Sequence, residues 1–339
     1  MTTEPLNLRH CDDITRGVYE VWYLTFNHPG TGQGFWLRFV TEAPTEATGH
    51  GPRAEIWFAR FDRRDASRTF GFHRRFPWAT FESHRDPFAI AIANNRLAHD
   101  HTSGVVSGDG HTVEWDLRWE PAQRELRMYP ALAYTAKIGP TTAYTPNPRV
   151  PLSGTIVVDG EQLDFDRAVA GQTHLYGKKH AFAWTWAHCA ELTGAPGALL
   201  ELISARIQRG GRTLPPLTMV VLDFDGERHE LNQFRHVAMN RASWKTGHVK
   251  FLARSATVKV EGELLARPEE MITAPYVDPD GTRVFCANTE IGDVRLTVWK
   301  RKGLGWREHR RLESIGRAHF EVGGRERDPA VAREHVTVE

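Results

Sequence analysis

Cysteine is scarce in this chain. There are three in 339 residues, Cys11, Cys189 and Cys286, far apart and with no C-x-x-C pair. That excludes a disulfide framework and a zinc knuckle, and it points to a reducing compartment. Lysine is nearly as scarce: Lys+Arg is 43, of which eight are lysine, against 42 Asp+Glu and a formal net charge of +1. So balanced a chain offers no global electrostatic case for nucleic acid or an acidic membrane surface. Long apolar runs are missing too. None approaches the roughly 18 residues of a spanning helix. The opening MTTEPLNLRHCDDITRG is polar and lacks the apolar core of a secretory signal. A cytoplasmic location is the expectation. Strong helix candidates are few, and ALLELISARI (198–207) reads as helix or strand equally well. No Ser–His–Asp order and no G-x-S-x-G elbow occurs. GTGQG at 30–34 lacks the strand–helix context of a phosphate loop and reads as a hairpin.

What the chain has in abundance is alternation. In VYEVWYLTF (18–26), Tyr19, Val21, Tyr23 and Thr25 share one strand face and Val18, Glu20, Trp22, Leu24 and Phe26 the other. Both faces are largely apolar, which predicts a strand covered on both sides. Short aromatic and β-branched segments recur to residue 301, separated by turn-rich pieces such as NHPGTGQG and by DG pairs at 159–160 and 225–226. The pattern predicts an all-β chain of antiparallel strands, as a sandwich or closed barrel. A prior of about 100–200 residues per domain gives two domains. Breaks at TGAPG and GGRTLPP place them at 1–195 and 196–339. The charged tail beyond about residue 320 reads as loose.

The densest stretch is GQTHLYGKKHAFAWTWAHC, residues 171–189, with three histidines, two lysines and two tryptophans. A zinc site needs three or four ligands. His174, His180, His188 and Cys189 are ligand types, but His-x5-His-x7-His-Cys fits no standard spacing. On a strand, His188 and Cys189 point to opposite faces. No metal and no cofactor is expected. As a strand, Phe182, Trp184, Trp186 and His188 share a bulky face, and Ala181, Ala183, Thr185, Ala187 and Cys189 a small one. The bulky face suits a pocket with an acid/base histidine near neutral pKa. It also suits a solid core whose indoles and imidazoles are satisfied internally. Both readings stay open.

YEVWY at 19–23, NPRVPLSGTIVVDGEQLDFDRAVAGQTHLYG at 147–177 and WTW at 184–186 resemble the AttH, carotenoid 1,2-hydratase (hydroxyneurosporene synthase-like) and tocopherol-cyclase-like group, which includes lipocalin-like Diels–Alderases. The resemblance implies two lipocalin-like (calycin) β-barrels or half-open sandwiches. It also implies a pocket in one barrel or between the two, for a bulky terpenoid, carotenoid or polyketide. In the group's D-H-x-W-G turn, His174 matches the His, Tyr176 the Trp and Gly177 the Gly. Trp184 and Trp186 match the W-x-W pair, and Glu20, Trp22 and Tyr23 the opening strand. The acid that precedes the His is Thr173 here, which counts against alkene protonation from that position.

The expected function is therefore an enzyme acting on a hydrophobic small molecule by proton transfer, hydration or cyclisation. The alternative is a non-catalytic carrier of a lipid-like ligand. His174, His188 and Tyr176 are the expected catalytic groups. Glu20, Trp22, Tyr23, Lys178, His180, Phe182, Trp184 and Trp186 are the expected ligand contacts. The expected partner is a hydrophobic small molecule, with no nucleic acid and no membrane span. The aromatic face of 182–188 is expected to line an apolar cavity of roughly 300–1,000 Å³, with His174 and Tyr176 beside it.

Overall fold

Alternating side chains build most of this chain into strands. In His111–Trp119, Val113, Trp115, Leu117 and Trp119 are buried while Glu114, Asp116 and Arg118 are exposed. The computed structural model describes residues 3–11, 15–135 and 139–339. It is 63% strand, far above the usual 20–25%. The α-helices among the described residues, α1 (Ala131–Thr135) and α2 (Phe234–Val237), are about one turn each. No helix among them is long and apolar enough to cross a membrane.

The first series of strands is β1 (Val18–Asn27), β2 (Gln33–Ala43), β3 (Arg53–Asp62), β4 (Phe70–Pro77), β5 (Phe81–Arg85), β6 (Phe88–Ile92), β7 (Asn95–Ala98), β8 (His101–Gly108), β9 (His111–Trp119), β10 (Thr141–Val158) and β11 (Glu161–Gly177). The second is β12 (Ala183–Cys189), β13 (Leu199–Arg206), β14 (Gln208–Arg209), β15 (Arg212–Thr213), β16 (Leu217–Phe224), β17 (Glu227–Leu231), β18 (Arg241–Lys245), β19 (His248–Arg254), β20 (Val258–Leu265), β21 (Ile272–Val277), β22 (Arg283–Lys302), β23 (Gly305–Gly324) and β24 (Val336–Val338). One twelve-stranded sheet has the order β24-β4-β3-β2-β1-β11-β10-β9-β8-β7-β6-β5. A ten-stranded sheet has the order β17-β16-β13-β12-β23-β22-β20-β19-β18, with β21 also paired to β22. The DG pairs form hairpin turns. Asp159-Gly160 and Asp225-Gly226 all have positive φ, between 51° and 84°, as a type I′ turn requires. ALLELISARI contributes the strand β13.

Each sheet wraps its own core. Trp22, Leu24 and Phe26 of β1 join Phe35, Leu37 and Phe39 of β2 in the first. Ala187 and Cys189 of β12 join Leu200, Leu202, Val220 and Leu222 in the second. Burying each large apolar side chain contributes about 1.5–3 kcal/mol. The opposite face of β1–β3 is apolar as well. Tyr19, Val21, Tyr23, Trp36 and Trp57 pack against Trp184, Tyr276, Val284 and Cys286 of the second sheet. This is why all ten residues of β1 are buried.

The chain passes from the first sheet to the second between Gly177 and Ala183, where the bulky face of β12 joins the seam and its small face the second core. The tail is docked rather than loose: β24 pairs in parallel with β4, and Val331 and His335 are buried.

Candidate functional site

Residues 171–189 cross from one sheet to the other, and the crossing separates their histidines. His174, on β11, is paired with Trp22 of β1. The register turns both side chains into the first barrel, where their rings stack at 4.7 Å. His174 Nε2 lies 2.8 Å from Glu20 Oε1, and its Nδ1 lies 2.6 Å from the Leu6 carbonyl. Both ring nitrogens face oxygen acceptors. The backbone N–H groups of His10 and Cys11 donate to the two Glu20 oxygens at 2.7 and 2.9 Å. The Trp22 indole donates to the Asn7 carbonyl at 2.8 Å. Glu20, Trp22 and His174 thus pin the N-terminal segment into the barrel. Tyr176 lies on the same side of β11, stacked on His10 at 4.1 Å.

The other face of the same strands meets the second sheet around a cavity of about 270 Å³, just under the usual ~300–1,000 Å³ of small-molecule pockets. Its aromatic walls are Tyr19, Tyr23, Trp36, Trp184, Trp186 and Tyr276. Ile203, Ala205 and Met219 add apolar surface, and the exposed side chains of Leu217 and Phe234 stand on its outer lining. Of the expected ligand contacts, Tyr23, His180, Trp184 and Trp186 line this cavity. His174, Tyr176, Glu20 and Trp22 do not, because strand alternation sends them into the first barrel. Lys178 is exposed in the crossing turn. Phe182 is half-buried under the Arg325 guanidinium, outside the lining. His188 is buried beside Trp186, also outside the lining.

The cavity wall also carries charged side chains absent from the expected site. Glu201 of β13 is buried, and its Oε1 accepts the Trp186 indole N–H at 2.7 Å. Its Oε2 has no hydrogen-bond partner among the described residues. Burial pushes this carboxyl up to about 8. Glu321 accepts the Trp184 indole N–H at 2.6 Å. Burial, then the nearby Glu321, pushes Glu290 well above the usual carboxylate range. Arg38 is the cation of the wall. Its guanidinium lies 4.6 Å from the Trp36 ring centroid and 5.0 Å from that of Tyr276, and donates to the Tyr276 hydroxyl at 2.8 Å. His180 bonds Asp278 through Nδ1 at 2.6 Å and stacks between Tyr19 and Tyr276. The available signal was a lone charge inside an apolar run: Arg38 in FWLRFV, Glu201 in ALLELIS, Glu321 in HFEV. A charge so placed is expensive unless it is paired or neutralised.

Chemically the arrangement combines a neutral carboxylic acid, a cation held among aromatic faces, and an otherwise apolar enclosure. Among the described residues no three His, Cys, Asp or Glu side chains gather as a metal site.

The fold has solved counterparts. An AttH protein of Nitrosomonas europaea superposes with a TM-score of 0.54 at 14% identity, covering 93% of this chain and 95% of that one. CghA gives 0.54 at 10% identity, covering 91% and 88%. At these identities the likeness is one of fold, the lipocalin-like β architecture. An uncharacterized protein of Mycobacterium tuberculosis is 28% identical over 340 residues, 95% of this chain and 94% of its own. The chloroplast tocopherol cyclase of Zea mays is 23% identical over 176 residues, which is 51% of this chain and 37% of the maize protein. Residues 149–324, just over half of the chain, match the tocopherol cyclase-like family. With two lipocalin-like sheets and an aromatic seam between them, the chain is a member of the tocopherol cyclase-like family.

Proposed function

We propose that this protein is an enzyme that protonates an electron-rich double bond of a hydrophobic small molecule in the cavity between the sheets, with Glu201 as the general acid. One observation carries the reading. Glu201 is fully buried with one oxygen fixed by Trp186 and the other without a hydrogen-bond partner among the described residues, and burial keeps it protonated at neutral pH. A carboxylic acid held neutral by an apolar site is a proton donor matched to working pH. The positive charge formed on carbon is stabilised by the faces of Trp36, Trp184 and Trp186. An internal hydroxyl then closes a ring, or water completes a hydration, and the proton which that oxygen sheds ends on the Glu201 carboxylate, restoring the acid. The tocopherol cyclase relatives support a phenol bearing an isoprenoid chain as the first substrate class to try. The cavity suits the reacting end of such a molecule, with the rest extending past Leu217 and Phe234.

The test is conversion of isoprenoid phenols in heavy water. One deuterium on carbon in the product, lost in Glu201→Gln while tryptophan quenching by the same phenol persists, is the expected result. Wild-type turnover by Glu201→Gln contradicts the assignment. Binding without conversion in the wild type favours a carrier instead.

A further inference from the structure

Outside the cavity lining, two histidines face each other from adjacent strands. His188 of β12 and His319 of β23 are register partners. Their Nδ1 atoms are 3.2 Å apart. The far side of each ring is fixed. His188 Nε2 lies 2.8 Å from the Pro148 carbonyl, which only accepts, so this nitrogen carries a proton. His319 Nε2 lies 2.7 Å from Asn27 Oδ1. The Asn27 amide cannot be turned round, because its Nδ2 donates to the Glu290 carbonyl at 2.6 Å. His319 Nε2 therefore carries a proton too.

In neutral rings those are the only N–H groups. The two Nδ1 atoms would then meet lone pair to lone pair. A third atom belongs to the group: Glu290 Oε2, 3.6 Å from His319 Nδ1 and without a hydrogen-bond partner among the described residues. One further proton among these three atoms resolves the conflict. On either Nδ1 it makes an N–H···N bond and an imidazolium, with Glu290 as counter-charge. Burial opposes that state, pushing both imidazoles down and Glu290 up. It draws the proton towards Glu290, while the donor count draws it towards the rings. Two glycines of the first sheet make room for the group. A Cβ at Gly171 would stand 2.9 Å from the His188 ring, and one at Gly34 2.7 Å from Glu290 Cβ.

We infer that His188, His319 and Glu290 share one transferable proton, and that Glu290 connects this store to the cavity. The inference rests on the proton-transfer reading above for its use. In a cyclisation, the Glu201 O–H breaks as C–H forms on the alkene. The substrate oxygen attacks the cation, and its O–H proton passes to the Glu290 carboxylate while the rings hold the stored proton. Return of one proton from Glu290 to Glu201 through the emptied cavity restores both groups, so the cycle gains and loses none. Glu290 is the residue that meets the substrate; His188 and His319 act through it. The other ionisable groups around the unit are Glu201 on the strand beside His188, Glu321 on the strand beside Glu290, and two flanking ion pairs. These are Arg63 with Asp293, and Arg317 with Glu191.

The test begins without substrate. Long-range 15N NMR of the histidine rings in the full chain should show a proton shared between the His188 and His319 Nδ1 atoms at neutral pH, with a far-downfield proton resonance. Glu290→Gln removes the counter-charge and should abolish both. Glu290→Gln should also lower kcat by about 10²-fold or more with KM unchanged. If that variant does not fold, His188→Gln should likewise lose the resonance. Two bare Nδ1 nitrogens in the wild type at neutral pH overturn the inference. So does an unchanged kcat and pH profile in Glu290→Gln when Glu201→Gln is inactive, and that result leaves the Glu201 assignment standing. A shared proton that vanishes in Glu290→Gln, with no isoprenoid phenol converted by the wild type, upholds the store and removes the Glu201 reading instead.

Discussion

Replacing Glu201 by glutamine should make the protein more stable at alkaline pH while stopping its chemistry. The carboxyl rises from 4.5 to about 8 on folding, a rise of about 3.5 pH units, and at 1.36 kcal/mol per unit this amounts to about 5 kcal/mol. The sign follows from proton counting. Between the two values the folded chain holds a proton that the unfolded chain has released, so raising the pH favours unfolding. The whole stability is present below about pH 4.5, and the contribution is lost progressively up to about pH 8. Glutamine has the same shape, keeps an oxygen for the Trp186 indole, and does not titrate. Other buried carboxyls, Glu290 among them, tilt both proteins alike and cancel in the difference. Urea unfolding of wild type and Glu201→Gln across this range gives the answer. The stability difference should move by about 5 kcal/mol in favour of the variant. A difference that stays constant with pH would refute the claim that burial holds Glu201 protonated, and with it the general acid.

Other outcomes can be checked alongside. Glu20→Gln takes one acceptor oxygen from a fully buried carboxyl that bonds the His10 and Cys11 N–H groups and His174, and should cost about 1–3 kcal/mol in urea unfolding, with phenol binding by the surviving folded fraction unaltered. Trp184→Phe leaves Glu321 without its indole donor and should cost about 1–3 kcal/mol, read as a lower denaturant midpoint. Ending the chain after Gly324 strips β24 from β4 and uncovers the buried Val331 and His335 sites. Hydrogen exchange should then accelerate in β4 and β3 before it does in the second sheet.

Strand pattern was the most readable property of this sequence. The two-sided burial of β1 and the split of 182–189 into a bulky and a small face both follow from a period of two. The site was half legible for the same reason: periodicity says which residues share a face, but not which sheet a strand joins. His174 and His188 are close in sequence and both look polar and pocket-bound. The crossing at 178–182 puts one inside the first barrel and the other on the seam. Only the pairing of Trp22 with His174 reveals this, and pairing is a long-range property. The acidic residues were hidden differently. Glu201 and Glu321 break the apolar pattern of their strands, and a single break reads as an outward-facing charge until both sides of the strand are known to be covered.

The most direct test of the seam as the reaction site is a crystal structure with an isoprenoid phenol bound. The ligand is expected between Trp36 and Trp184, with an olefinic carbon about 3–3.5 Å from Glu201 Oε2, the separation of a reactive pose. A ligand inside the first barrel against His174, or elsewhere with the seam cavity empty, contradicts it.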